Sequence, residues 1–406
     1  MLKPVQKPES LGFSPDRLQY ITDWMQRYVD DGKLAGTQTV IARSGKIAYS
    51  KSIGLRDMDS ASPWTDDTVA RFYSMSKPVT SVALMMLYEK GLFHLDDPVD
   101  EFIPAFKEMQ VLRPQARNIE DTEPAKVRMT VHNLLTHMSG MTYGFNLGVL
   151  GDYYEKEKMD FGPRRGTLEK EVNRLAAMPL LFEPGARWNY GVSTDVVGRL
   201  VEVISGQDLK SFFHENIFTP LRMTDTDFGV PEEKLDRYAA AYMSDGKGGM
   251  AVLDSVRKSA FAEEKVICHS GGGGLVSTAA DYLKFAEMIR CRGAAEGGRL
   301  LGPRTVDFMT SNHLKGDLAA NGQPVFSEVS FVGVGFGLGG WVMLDPALSQ
   351  MMGSPGDFGW GGMASTVFWV DPVEDMTVLF LTQFVPSSFY PLRKELRALV
   401  HQALID

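Results

Sequence analysis

The chain has 406 residues, 44% hydrophobic and 23% charged, with 40 glycines and 21 prolines. That mixture excludes disordered, collagenous and coiled-coil architectures; at roughly 100–200 residues per domain it calls for two or three folding units with a core that needs no disulfide. A formal charge of −9, with no lysine and arginine run long enough to neutralise a row of phosphates, excludes nucleic acid as the expected partner and favours a small or neutral molecule.

Cys268 and Cys291 stand too far apart for a CxxC motif and read as small buried hydrophobes of a reducing compartment. The first eight residues, Met-Leu-Lys-Pro-Val-Gln-Lys-Pro, lack a signal-like apolar segment. No stretch approaches the ~18 apolar residues of a membrane span, so the chain is expected to be cytoplasmic, without membrane contact.

In chain order, Ser14-Pro15-Asp16 opens a helix over 15–31, with Leu18, Ile21, Trp24, Met25 and Tyr28 at helical spacing. Residues 37–42 and 47–53, separated by Arg43-Ser44-Gly45-Lys46, read as a hairpin. From about 74 to 230 helix signals dominate. Val79 to Tyr88 is apolar nearly all round, which predicts a helix buried on every side. Thr130 caps a helix ending at Gly140, Thr167 opens one that stops before Pro179, and Thr194 opens one that stops at Ser205-Gly206. Gly271 to Gly274 followed by Ser277-Thr278-Ala279-Ala280-Asp281 predicts a tight turn into a helix running to Arg290. A second hairpin is expected over 366–370 and 376–382, and a closing helix over 391–403.

Two long linkers remain, 141–166, rich in aromatic residues and glycine, and 229–265, charged and spotted with glycine; loops of that length tend to be lids or binding loops. The expected fold is α/β in the α+β sense. An antiparallel sheet from both chain ends, residues 1–70 and 265–406, is flanked by the terminal helices, and a mostly helical domain, 71–264, is inserted between.

Ser74-Met75-Ser76-Lys77 matches the Ser-x-x-Lys pattern of serine acyl enzymes. The pattern recurs at Ser244 to Lys247 and Ser255 to Lys258, but only Ser74 leads directly into a buried helix. Pro78 is tolerated only in a first helical turn, which puts Ser74 at or just before a helix N-terminus, where backbone N–H groups favour a developing oxyanion. Three residues on, Lys77 shares that face one turn deeper. A serine hydroxyl needs such a partner to become a nucleophile, and a lysine serves as base only where burial and positive potential weaken its hold on a proton. The same residues would equally suit a helix cap beside a surface lysine.

Further blocks follow in order: Leu134-Leu135-Thr136-His137-Met138-Ser139-Gly140, Pro184-Gly185-Ala186-Arg187-Trp188-Asn189-Tyr190, the segment Gly271 to Asp281, and Trp360-Gly361-Gly362. With Ser74 to Lys77 they resemble the serial signatures of the β-lactamase-like serine hydrolases, and most closely the family VIII carboxylesterases, relatives of class C β-lactamases and D-alanyl-D-alanine peptidases. The resemblance covers nearly the whole chain. It implies Ser74 as the acylated nucleophile and Lys77 with Tyr190 sharing the acid and base work. The oxyanion hole would be the backbone N–H groups of Ser74 and of Met363, the latter following Trp360-Gly361-Gly362 on an edge strand.

Two departures from the β-lactamase pattern bear on substrate. Tyr190-Gly191-Val192 stands where those enzymes have Tyr-x-Asn, and Trp360-Gly361-Gly362 where they have Lys-Thr-Gly. Val192, Trp360, Gly361 and Gly362 are thus expected to contact substrate in a less polar site that prefers neutral esters. Charge-assisted contacts worth ~1.5–3 kcal/mol each would be lost to a β-lactam.

No Gly-x-Ser-x-Gly elbow occurs, and the seven histidines include no HExxH; His132 and His137, five apart, fall on different helix faces, so no metal is expected. His137 reads as a core residue. The glycines 271–274 lack the Gly-Lys-Ser/Thr of a phosphate loop and read as close backbone packing beside the site. Met85, Met86, Met351 and Met352 are read as core filling rather than as an adaptable acyl pocket.

The reading is a cofactor-free serine carboxylesterase for short-chain or aryl esters. Its alternatives are an acyltransferase, amidase or weak β-lactamase on the same scaffold, and, from a different class, a non-catalytic penicillin- or acyl-binding protein. Oligomeric state is open, a homodimer standing on base rates alone.

Overall fold

The computed structural model describes residues 2–323, 325–326 and 329–406. Helix α1 (Pro15–Asp30) begins where the Ser14 side chain accepts the Arg17 N–H, and it buries Leu18, Ile21, Trp24, Met25 and Tyr28, the five residues at helical spacing. Strands β1 (Gly36–Arg43) and β2 (Lys46–Asp57) are joined through Ser44 and Gly45, both at positive φ (52° and 74°), which matches the twist of a tight hairpin. A two-residue strand, β3 (Ser62–Pro63), adds to β2.

The remaining strands of the sheet come from the other end of the chain: β4 (Val334–Phe336), β5 (Trp341–Met343), β6 (Phe358–Gly361), β7 (Val367–Asp371) and β8 (Met376–Thr382). The spatial order is β4-β5-β6-β7-β8-β1-β2-β3, antiparallel throughout, with Thr37 opposite Thr382 and Arg43 opposite Met376.

Helix α2 (Ser76–Tyr88) is buried at every position except Met86 and Tyr88, as its all-round apolarity requires, and α3 (Ser193–Ser205) packs along it. Helix α4 (Ala279–Arg290) covers one face of β7 and β8, where Tyr282 packs edge-on against Phe368. On the opposite face α1 meets the closing helix α5 (Leu392–His401); Trp24 Nε1 and the Tyr28 hydroxyl both donate to Glu395, and Trp24, Trp369 and Phe380 share that core.

Several expectations need correction. The helix capped by Thr130 spans only Val131–Leu135: Thr136 Oγ1 turns back to the His132 carbonyl, and His137 adopts a left-handed φ of 54° with the Met138 N–H closing onto the Asn133 carbonyl. Helix α3 begins at Ser193 with Val192 as its cap, so Thr194 lies inside it. Segment 141–166 holds a helix, Val149–Glu157. Segment 229–265 holds a hairpin, Ala241–Ser244 with Met250–Asp254, whose turn closes as Asp245 accepts the Lys247 and Gly249 N–H groups. Strand β6 is not an edge strand, because β4 and β5, each three residues long, lie outside it.

Candidate active site

The chain turns sharply into α2 through a short 3₁₀ segment, Tyr73–Met75, with Tyr73 at φ 43°, a conformation unusual for a residue with a side chain. This places Ser74 half-exposed just ahead of the helix, while Lys77, one turn on, is fully buried. Lys77 Nζ lies 3.2 Å from Ser74 Oγ, 2.9 Å from the Tyr143 hydroxyl and 2.6 Å from the Gly272 carbonyl oxygen. Three acceptors therefore surround the nitrogen, matching the three N–H bonds of an ammonium. The Tyr190 hydroxyl donates to Ser74 Oγ at 2.7 Å, so Tyr190 and Lys77 approach the serine oxygen from two sides.

The supporting shell is aromatic and tightly specified. Tyr190 packs on Tyr143, His137, Trp188 and Trp360, with ring centroids 5.1, 5.0, 6.1 and 5.5 Å away. His137 is buried as expected; burial and then the Lys77 charge hold its imidazole well below the usual range, so it is neutral. Burial, followed by the neighbouring Tyr190 and Asp195, pushes the Tyr143 phenol well above the ordinary tyrosine range.

The glycine run meets Lys77 from the other side. An added Cβ at Gly272 would lie 2.4 Å from Asp195 Oδ2, and one at Gly271 would lie 2.9 Å from the Thr194 carbonyl oxygen, so side chains are excluded by packing. Asp195 Oδ1 accepts the Ser270 hydroxyl at 2.5 Å and the Gly272 N–H at 3.0 Å. Burial pushes its carboxyl up to about 6, against the pull of the Ser270 hydroxyl, the Lys77 charge and the Gly272 N–H.

These residues floor a cavity of about 1060 Å³. Ser74, Tyr143, Tyr190 and Asp195 line it on the helical side, and Trp360, Gly361, Gly362 and Met363 on the sheet side. The Ser74 and Met363 N–H groups donate to no backbone carbonyl among the described residues. Met351 joins the lining, whereas Met85 is wholly in the core and Met352 is exposed.

Val192 does not meet the expectation placed on it. It is wholly buried as the cap of α3 and stands outside the cavity lining; the amide on that side is Asn146, which donates to the Tyr190 carbonyl at 2.8 Å. Nor is the sheet wall without charge. Arg393 lines the cavity with its Nη2 against Gly361, where an added Cβ would lie 2.5 Å away, and it donates to the Gly362 carbonyl at 3.0 Å.

Sequence reasoning also missed Tyr143 and Asp195; the only signal was the aromatic character of 141–166 for the first and a position five residues after Tyr190 for the second. Among the described residues, Asp357, Asp371 and His401 bring ligand-type atoms within 4.8 Å of one another, but the Arg397 guanidinium donates to Asp357 at 2.7 Å and already supplies a cation there.

Comparison with known proteins shows the family of the chain. Residues 21–402 match the family model described as Beta-lactamase. Protein Rv1367c of Mycobacterium tuberculosis is 34% identical over 366 residues, covering 88% of each chain. Esterase EstB of Burkholderia gladioli is 31% identical over 365 residues, covering 86% of each. The solved structure of EstCE1, described as a hydrolase with promiscuous acyltransferase activity, superposes with a TM-score of 0.78 at 26% identity, covering 98% of this chain and 99% of that one.

Proposed function

This chain belongs to the beta-lactamase family of serine hydrolases, and from that premise we propose that it is a carboxylesterase cleaving short-chain or aryl esters through an acyl-Ser74 intermediate. The observation that carries the reading is the approach of the Tyr190 hydroxyl (2.7 Å) and Lys77 Nζ (3.2 Å) to Ser74 Oγ on the floor of an open cavity. In the first step Ser74 Oγ bonds to the ester carbonyl carbon and its proton passes to the Tyr190–Lys77 pair, while the carbonyl oxygen takes up negative charge before the Ser74 and Met363 N–H groups. Collapse breaks the carbon–oxygen bond to the alcohol, which leaves with the proton the pair holds. Water then repeats the sequence on the acyl group and frees the acid.

The three acceptors around Lys77 support a division of roles. Lys77 is the cation beside Ser74 Oγ, and the reactive state is the one in which Tyr190 is the phenolate balanced by that charge: its oxygen, directly on Ser74, takes the serine proton and later gives it to the leaving alcohol. The absence of the Lys-Thr-Gly grip supports esters over β-lactams, with Arg393 a residual anchor for an acid group. A test is turnover of p-nitrophenyl butyrate and its disappearance in Ser74→Ala; an unchanged rate in that variant sinks the reading.

Acyl transfer is the second reading, favoured by the size of the cavity. About 1060 Å³ lies just above the ~300–1,000 Å³ of small-molecule sites, leaving room for an alcohol or amine acceptor beside an acylated serine. Product ratios with and without added alcohols and amines separate transfer from hydrolysis.

A further inference from the structure

Asp195 belongs to neither the Ser-x-x-Lys pattern nor the tyrosine block, yet it is a buried carboxylate in the cavity lining that feels the Lys77 charge. It sits in the first turn of α3, 1% exposed, and its carboxylate reaches Lys77 through a single residue, Gly272. Asp195 Oδ1 holds the Gly272 N–H at 3.0 Å, and the Gly272 carbonyl takes the Lys77 N–H at 2.6 Å. The Ser270 hydroxyl fixes the same carboxylate oxygen at 2.5 Å. Gly272 has no room for a Cβ on the Asp195 side, so the peptide, the carboxylate and the ammonium are locked in one arrangement. Asp195 also lines the cavity, so the polarity of that floor is partly its own.

Resting on the serine reading above, we propose that Asp195 is a positioning residue for the reaction: through the Gly272 peptide it aims Lys77 at Ser74, and its negative charge balances the Lys77 ammonium while the serine is acylated. A neutral Asp195 leaves the geometry but removes the counter-charge, so the ionised form is the working one. No covalent step involves the carboxylate. The groups that bear on its charge are Lys77 from α2, Tyr143 from the loop before Val149–Glu157, Asp160 across the cavity and Cys268 ahead of the glycine run. Burial holds the carboxyl near 6, which puts its loss of charge on the acid side of neutrality. The Ser270 hydroxyl favours the ionised form, so removing it moves that loss to higher pH.

The experiment is the pH profile of kcat for p-nitrophenyl butyrate from pH 4.5 to 9 in wild type, Asp195→Asn and Ser270→Ala. Asparagine keeps an oxygen for the Gly272 N–H and the Ser270 hydroxyl, so the fold is preserved while the charge is lost. The expected result is a wild-type acid limb near pH 6 that is absent in Asp195→Asn, with kcat at pH 8 down roughly tenfold, the equivalent of about one pKa unit of charge stabilisation, and KM little changed. In Ser270→Ala the limb is expected to move upward. A limb that persists unmoved in both variants, or an Asp195→Asn enzyme with wild-type kcat, overturns the proposal, since a purely structural carboxylate would leave the profile in place. Fluorophosphonate labelling of Ser74 in each variant, read by intact mass, keeps the two readings apart: a labelled Ser74 with an unchanged limb sinks only the role of Asp195, whereas an unlabelled wild type sinks the serine reading itself.

Discussion

The two walls of the cavity are built in opposite ways. On the helical side, Ser74, Lys77, Tyr143 and Tyr190 are joined directly by hydrogen bonds of 2.7–3.2 Å, and Asp195 joins them through the N–H and carbonyl of Gly272. On the sheet side, Trp360 and Met363 offer surface and backbone, with Arg393 tied to the Gly362 carbonyl behind them. On the proposed reading the helical wall sets where protons sit and the sheet wall sets what shape is admitted. Changes on the first should act on kcat and changes on the second on KM, because interactions realised only in the transition state raise kcat whereas uniform binding moves KM.

The comparison is most exposed at Ser74. Ser74→Ala is expected to lower kcat by roughly 10³-fold or more, with KM changing far less, since a nucleophile acting in concert with its base carries most of the effect of the set. Tyr190→Phe keeps the ring packing on His137 and Trp360 but removes the hydroxyl on Ser74, and should cost roughly 10²-fold in kcat, the lower range for a general acid–base group. A KM effect larger than the kcat effect in either variant would erase the distinction between the walls.

Asp195 sharpens it through stability. Its carboxyl is raised from 3.8 to about 6, so the folded protein retains a proton that the unfolded chain releases. That contribution is complete below about pH 4 and is lost as pH rises through about 6, above which wild type carries a buried charge. Asp195→Asn should therefore be the more stable protein at pH 8, by on the order of 3 kcal/mol, with the gap closing toward pH 4. Thermal melts at the two pH values check this; a variant less stable at pH 8 than at pH 4, relative to wild type, would contradict it. The smallest effect belongs to the mouth. Phe145, 59% exposed and stacked on Tyr143, should on change to Ala raise KM a few-fold for aryl esters and leave stability within about 0.5 kcal/mol.

How much of this was legible in the sequence follows the range of the contacts. Ser74 and Lys77 are three residues apart and Pro78 fixes their helix, so local periodicity finds them. Tyr190 meets Ser74 across a separation of 116 residues, and only the ordered motifs of the resemblance pointed to it. Tyr143 approaches Lys77 across 66 residues with no motif to announce it, whereas Gly272, 195 residues away, lies in the glycine run read from the sequence as packing beside the site. Val192 was misplaced because, at the first turn of α3, two residues' distance from Tyr190 turns a side chain from the cavity into the core. Strands β4 and β5 are three residues each, one of them with a central glycine, too short for an alternating pattern to register, and missing them made β6 look like an edge. The terminal hairpins and helices were legible because each is long enough to show its own period.

The pairing of β1 with β8 has a kinetic consequence. The Thr382 hydroxyl donates to the Gly36 carbonyl across 346 residues, and seven register pairs join the same two strands. Such distant partners must pay loop-closure entropy before any pairing rewards it, so the sheet forms late and slowly. During synthesis the segments that hold Ser74 and Tyr190, just ahead of α2 and α3, emerge well before Met363 and β8, and β1 leaves the ribosome before its β8 partner exists. Until the last strands arrive, Ser74 stands without the second wall of its cavity and the β1 edge is open to pairing with another chain.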